Sequence, residues 1–518
     1  MNLAVGIAES YAESVPVLAI VGQAPQHLEG RGAFQDSSGK GRSVNAVQMW
    51  ESISKHVARI ESAETFWDQL EEAVTVAMSG RPGPAVLLVP RDVWEQETPE
   101  RPQEWQTDLS AFISAPQPSE EELTRLFRYI QRAKRPVMMM GTGVSRSPQG
   151  KKVVHFAQTA GVPVVSTMAC SGIFPNDDPL YLGCVGVAGH PSAHEYLNEQ
   201  ADLIIAVGTG LDIMSRAALN KAMMRVPLAV VNCEPGQIER ILQPSIVVEG
   251  DAGQVFADLT KRLRRTSIYH GRPRGYELTQ YETPLLNPEE EEKVDLGDVL
   301  LQSEALDLLQ AHLPRRGHLL FDAGNCAASA IHKFQVPKDA STLIALGMGG
   351  MGYAIPAAIG AQLGEDSFTR SMVFCGDGAY LMQGLEVHTA VELGLPILFV
   401  VFNNNKHGMC VTRQKLLFDG REECVSYARL DADTLARGMG TKDNLWTGRA
   451  STTKELRDLL RDYAGWGGGP GVLELKLPVE EMPPFTPFLL ADAKTKAADW
   501  KITEYNTQKP HKLSQTAA

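Results

Sequence analysis

The stretch that most constrains this chain runs from Val373 to Gln414. A short apolar run ends in Gly376-Asp377-Gly378, and residues at helical spacing follow. A second apolar run, Pro396 to Phe402, ends in Asn403-Asn404-Asn405. Strand, turn, helix, strand and turn in that order make the crossover unit of a parallel sheet. The unit brings the two polar strand ends to the carboxyl edge, where open α/β sheets bind their ligands.

The residue types at those ends point to one chemistry. Asp377 offers a carboxylate and Asn404 an amide oxygen, and magnesium takes hard oxygen ligands and shares its sites with phosphates. Gly376 and Gly378 let the backbone approach a phosphate, and a helix opening after them presents free N–H groups to it. The pattern reads as a magnesium-diphosphate clamp; an ordinary sheet edge with polar turns is the plainer alternative.

GDG and NN with Asp377 and Asn404 27 positions apart resemble the cofactor motif of thiamine-diphosphate (ThDP) enzymes. By that resemblance Asp377 and Asn404 bind magnesium through side chains and Lys406 through its carbonyl. Gly376, Gly378 and Ala379 border the diphosphate, as do Gly324, Asn325 and Cys326, although relatives often carry Gln-His at the last two positions. Met351 matches the apolar residue that props the cofactor in its bent form, with Gly349 beside it. His407, Gly408 and Met409 fall near the cofactor on a loop after the NN turn, His407 with a catalytic role.

The flanking sequence resembles the acetolactate-synthase-like branch. SVPVLAIVGQAP, GAFQD and SGRPGPAVLLVPRD look like the second half of its pyrimidine-binding domain. Phe34 and Gln35 match the motif that lines the active site from the neighbouring subunit. Arg91 stands where that branch has a lysine. The arginine that binds the second substrate's carboxylate corresponds to Met214, and the tryptophan that discriminates that substrate to Arg413, so Arg413 and Arg216 are the cations placed to substitute. In some members the central domain binds FAD; here Gly210 replaces an arginine associated with FAD and weakens that expectation.

The resemblance implies an α/β fold of three consecutive parallel-sheet domains with the ThDP-binding fold. A partial pyrimidine-binding domain spans 1–95, a central domain 119–265, a diphosphate- and magnesium-binding domain 294–480 and a tail 481–518. Residues 95–118 and 265–294, the latter ending in the acidic run Glu289–Glu292, read as linkers. The implied reaction is decarboxylation or carboligation of a 2-keto acid. The cofactor attacks the keto acid, carbon dioxide leaves, and the carbanion/enamine is trapped by a carbonyl acceptor. The implied assembly is a homodimer or homotetramer.

In relatives, the first strands and the glutamate that activates the cofactor precede the position of Asn2. Glu9, Glu13 and Glu29 lie in the wrong part of the pattern for that role. Three explanations stay open: a start further upstream, the missing half on a separate polypeptide, or a homologue that binds cofactor without turnover. The match of Asn2-Leu3 to the middle of a family motif favours the first. Loss of such an acid–base contact costs about 10²–10⁴ in rate.

Gly347 to Gly352 also matches GxGxxG, the dinucleotide fingerprint of a nicotinamide dehydrogenase. That fingerprint expects an acidic residue to close the next strand on the ribose, whereas here the next strand runs into GDG. A net charge of −13 argues against nucleic acid as a partner. No apolar run approaches the roughly 18 residues of a membrane span. The seven scattered cysteines read as reduced thiols, with a cytoplasmic location.

Overall fold

The computed structural model describes residues 2–266, 268–271, 273, 275–286, 299–366, 368–418, 420–490 and 502–504. The backbone separates into two compact units, residues 1–117 with 249–251 and 346–349, and the remainder. Sequence-predicted features at Glu289–Glu292, at Val294 and in most of the 481–518 tail lie outside the described residues.

In the first unit β1 (Leu18–Gln23), β2 (His56–Arg59) and β3 (Ala85–Pro90) form a parallel sheet in the order β1-β3-β2. The continuous apolar run of β3 is what a strand covered on both faces requires. Val86 and Leu88 pack with Ile7, Ala19 and Trp50, while Leu87 and Val89 pack with Ile60, Ala73 and Ala77. Helix Phe66–Met78 supplies Ala73 and Ala77. The linker predicted at 95–118 is packed rather than free: Trp67 donates to the Pro99 carbonyl at 2.9 Å and meets Trp105 edge to face. Glu9 is buried and accepts from the N–H groups of Gly347 and Met348. Glu29 is held by Arg59 and Lys40.

The second unit carries two six-stranded sheets. One is built from β4 (Pro136–Met140), β5 (Val164–Thr167), β6 (Tyr181–Val185), β7 (Leu203–Val207), β8 (Leu228–Asn232) and β9 (Ile246–Glu249), in the order β6-β5-β4-β7-β8-β9. The glycine turns after β4 and β7 sit directly on each other: Gly143 N–H donates to the Gly208 carbonyl at 2.8 Å, and a Cβ on Gly141 would lie 2.5 Å from that oxygen.

A short strand β10 (Thr279–Tyr281), inside the predicted second linker, pairs antiparallel with a strand at Ile502–Glu504. The other large sheet follows from β11 (Arg316–Phe321), β12 (Asp339–Ile344), β13 (Arg370–Gly376), β14 (Ile397–Asn403), β15 (Trp446–Ala450) and β16 (Gly471–Lys476). Its order is β12-β11-β13-β14-β16-β15, with every pair parallel. The predicted crossover unit is therefore β13, the helical stretch 377–392 and β14, neighbours in the sheet, with Gly376 beside Phe402. The Gly347–Gly352 run does precede a helix, Ala354–Leu363. β12, however, is not the neighbour of the next strand, because β11 lies between β12 and β13.

Three buried imidazoles tie the turn after β6 to helix Asn325–Lys333. His190 and His332 stack at 4.7 Å, and His194 lies nearby, its Nε2 accepting from Gly186 N–H. Among the described residues no helix is long and apolar enough to cross a membrane.

Candidate active site

The carboxyl ends of β11, β13 and β14 open onto one cavity of about 180 Å³, several times the ~30 Å³ share of one water. Its walls are Ala323–Cys326, Gly376–Ala379, Asn404 with Lys406–Cys410, the side chains of Met351 and Arg413, and a far wall of Leu477 and Val479–Glu481. The cofactor residues expected from sequence thus converge here, apart from Gly349, which belongs to the 346–349 segment of the first unit. Phe34, Gln35 and Arg91 also belong to the first unit. Phe34 is 88% exposed, Gln35 sits at φ 58°, and Arg91 pairs with Glu95 at 3.1 Å.

Asp377 is 2% exposed. One carboxylate oxygen accepts from Gly378 N–H at 2.8 Å and the other from Asn405 N–H at 2.6 Å. Burial pushes its carboxyl above the usual range, opposed by these N–H groups and by the adjacent Tyr427 hydroxyl. Asn404 Oδ1 accepts from Lys406 N–H at 3.0 Å, and Asn404 Nδ2 points to Glu480 at 3.4 Å. The turn that carries these groups is braced from behind. Asn403 donates to Glu474 at 2.6 Å and to the Leu430 carbonyl, and Glu474, fully buried, is paired with Arg449 and Lys476.

Gly378 is needed for close approach. A Cβ there would lie 2.8 Å from His407 Nδ1 and 3.1 Å from the Met351 methyl. Asp322, which sequence reasoning did not single out, holds the Met351 turn: it accepts from Gly352 N–H at 2.8 Å and Ala354 N–H at 2.9 Å.

The predicted loop after the NN turn is instead a helix, Gly408–Leu417, with His407 at its N-cap position. The lack of a side-chain cap there removes the usual start signal. Met409 and Arg413, one helical turn apart, both line the cavity, and Asn325 Nδ2 fastens the helix through Thr412 at 2.9 Å. The loop predicted from Lys415 therefore begins only after Leu417. Glu480 and Glu481 were also missed. Chain pairing of 284–286 with 480–482 brings them in (Leu286 N–H to Glu480 carbonyl 2.8 Å, Met482 N–H to Pro284 carbonyl 2.8 Å), a contact with no local sequence signal.

These residues fit a divalent cation that shares its ligands with a diphosphate. Among the described residues no three His, Cys, Asp or Glu side chains form a cluster able to hold a metal alone. One buried carboxylate, one amide and a carbonyl leave coordination positions for phosphate oxygens. Asn325, whose buried Oδ1 has no hydrogen-bond partner, lines the same cavity.

A family model described as the thiamine pyrophosphate enzyme central domain matches residues 123–259. A second, described as the C-terminal TPP binding domain of the same enzymes, matches 322–475 and contains the cavity's three sheet-edge turns. The chain belongs to the thiamine pyrophosphate enzymes. This thiamine pyrophosphate (that is, ThDP) enzyme is 26% identical over 486 residues to the acetolactate synthase isozyme 1 large subunit of Escherichia coli, covering 93% of this chain and 81% of the relative. It is 28% identical over 469 residues to the acetolactate synthase large subunit of Corynebacterium glutamicum, covering 85% and 69%. Its fold matches an X-ray structure described as a thiamin diphosphate-dependent enzyme from Mycobacterium smegmatis, with TM-score 0.73, 21% identity and coverage of 92% and 85%.

Proposed function

We propose that this protein is a ThDP- and magnesium-dependent decarboxylase or carboligase of a 2-keto acid, similar to acetolactate synthase. The observation that carries the reading is the pair Asp377 and Asn404, which sit at the ends of neighbouring parallel strands and face one cavity. Asp377, Asn404 and the Lys406 carbonyl would hold the magnesium. The Gly376–Ala379 and Gly324–Cys326 turns would take the diphosphate, and Met351 would support the cofactor's bend. When bound, thiamine diphosphate supplies the nucleophilic carbon that opens a 2-keto acid to loss of carbon dioxide and transfer of the remaining fragment.

Arg413 is the exposed cation at the cavity mouth and would meet a substrate carboxylate or carbonyl acceptor. Phe34 and Gln35, on an exposed loop, would complete the site of a neighbouring copy, so the working form is a homodimer or homotetramer. FAD is not part of the reading. Gly210 and Met214 offer no cation to it, and the turns after β4 and β7 are packed on each other.

The test is calorimetric titration with ThDP and magnesium, followed by carbon dioxide release from pyruvate. Asp377→Ala should abolish magnesium-dependent binding; unchanged binding would refute the site. Binding without carbon dioxide release would instead mark a ThDP-binding homologue without turnover.

A further inference from the structure

A metal site with one carboxylate and one amide depends on how those two groups are turned. The structure places one further side chain against each. Residues 425–427 run beside the 405–407 turn: Lys406 and Ser426 form a bridge, His407 N–H donates to the Val425 carbonyl at 2.8 Å, and Tyr427 N–H to the Asn405 carbonyl at 3.2 Å. This sets the Tyr427 ring edge-on to His407 at 5.3 Å and its hydroxyl beside Asp377. That hydroxyl is buried and makes no well-aligned hydrogen bond; a phenolic O–H can donate.

Glu480 addresses Asn404. The Asn404 end 3.4 Å from Glu480 Oε1 is the NH₂, which donates toward that carboxylate oxygen. The oxygen must then be the opposite end, where it takes the Lys406 N–H and keeps a lone pair. Glu480 is itself fixed by the 284–286 pairing and lies 3.8 Å from the Lys406 ammonium.

We propose that Tyr427 and Glu480 are the positioning residues of the metal site, Tyr427 by donating to Asp377 and Glu480 by selecting which end of the Asn404 amide faces the cation. The inference rests on the magnesium-ThDP reading above. Partners of this kind are worth about 10–100-fold in metal affinity. The alternative is that Tyr427 merely packs on His407 and Glu480 merely balances Lys406.

The test measures magnesium half-saturation of ThDP binding, ThDP half-saturation at saturating magnesium, and melting without metal, for Tyr427→Phe, Glu480→Ala and Glu480→Gln. Tyr427→Phe and Glu480→Ala should each raise the magnesium half-saturation about 10-fold or more, leaving the other two within about twofold and unmoved, respectively. Glu480→Gln, which keeps an acceptor for the Asn404 NH₂, should lie nearer the wild type. Glu480→Gln behaving as Glu480→Ala would assign the effect to charge and overturn the orienting role. A metal-free melting point that falls with the affinity would likewise overturn it in favour of packing. Unchanged magnesium half-saturation in Tyr427→Phe and Glu480→Ala, with binding abolished in Asp377→Ala, would refute the proposal and leave the site reading intact. Wild-type binding in Asp377→Ala would refute both.

Discussion

Acid should loosen the second unit through its buried imidazoles. His190 accepts Cys184 N–H on Nδ1 at 3.0 Å and donates from Nε2 to the His332 carbonyl at 2.9 Å. His332 Nε2 in turn accepts Tyr281 N–H at 2.8 Å. Each ring is thus held neutral, and a second proton would turn an acceptor against a donor. Burial pushes His190 and His194 down to about 4, and His332 further below its ordinary value. The unfolded chain binds these protons near pH 6.5 and the folded chain does not, so stability falls as pH drops from about 6.5 toward 4. Between pH 7 and 5 each of His190 and His194 removes roughly 2 kcal/mol. Asp322, Asp377 and Glu481, raised by burial, act in the opposite sense and offset part of the loss. The decisive comparison is therefore His194→Gln, whose amide can still accept from Gly186. Its pH 7-to-5 loss, read as the shift of the first urea transition, should be smaller than the wild type's by about 2 kcal/mol. Histidine hydrogen–deuterium exchange read by mass spectrometry gives the individual titrations. Equal losses in the two proteins, or a His194 titrating near 6.5, would refute the reasoning.

Two substitutions test the cavity's construction. Gly378→Ala should weaken ThDP binding at least about 10-fold with the fold retained, since the new methyl must displace His407 or Met351; calorimetry with circular dichroism checks both halves. Asp322→Ala should lower the melting temperature, at about 1–3 kcal/mol for each of the Gly352 and Ala354 N–H groups left without an acceptor, as read by differential scanning calorimetry.

What could be read from sequence was local or paired by a fixed rule. Two apolar runs ending in Asp377 and Asn404, joined by a helix, have to lie side by side in a parallel sheet, and they do. β2, β6, β9, β10, β12 and β15 went unread. His56–Arg59 is half-buried throughout, and Asp339–Ile344 and Trp446–Ala450 are edge strands that alternate instead of running apolar. Helix Gly408–Leu417 looked like a loop because Gly408 opens it without a cap. Glu480, Asp322 and Tyr427 carry no signal at all, since each matters only through a partner far along the chain.

That helix has a consequence for how such an enzyme diversifies. The residues that would grip the cofactor sit on strand-end turns locked by backbone bonds and by the Asn403–Glu474 brace. Met409 and Arg413 instead project from one face of a short helix fastened through Thr412. If Arg413 meets the substrate as proposed, exchanging the residue at 413 would change the reaction partner without rebuilding the machinery beneath it. Directed evolution of this scaffold should begin on that face.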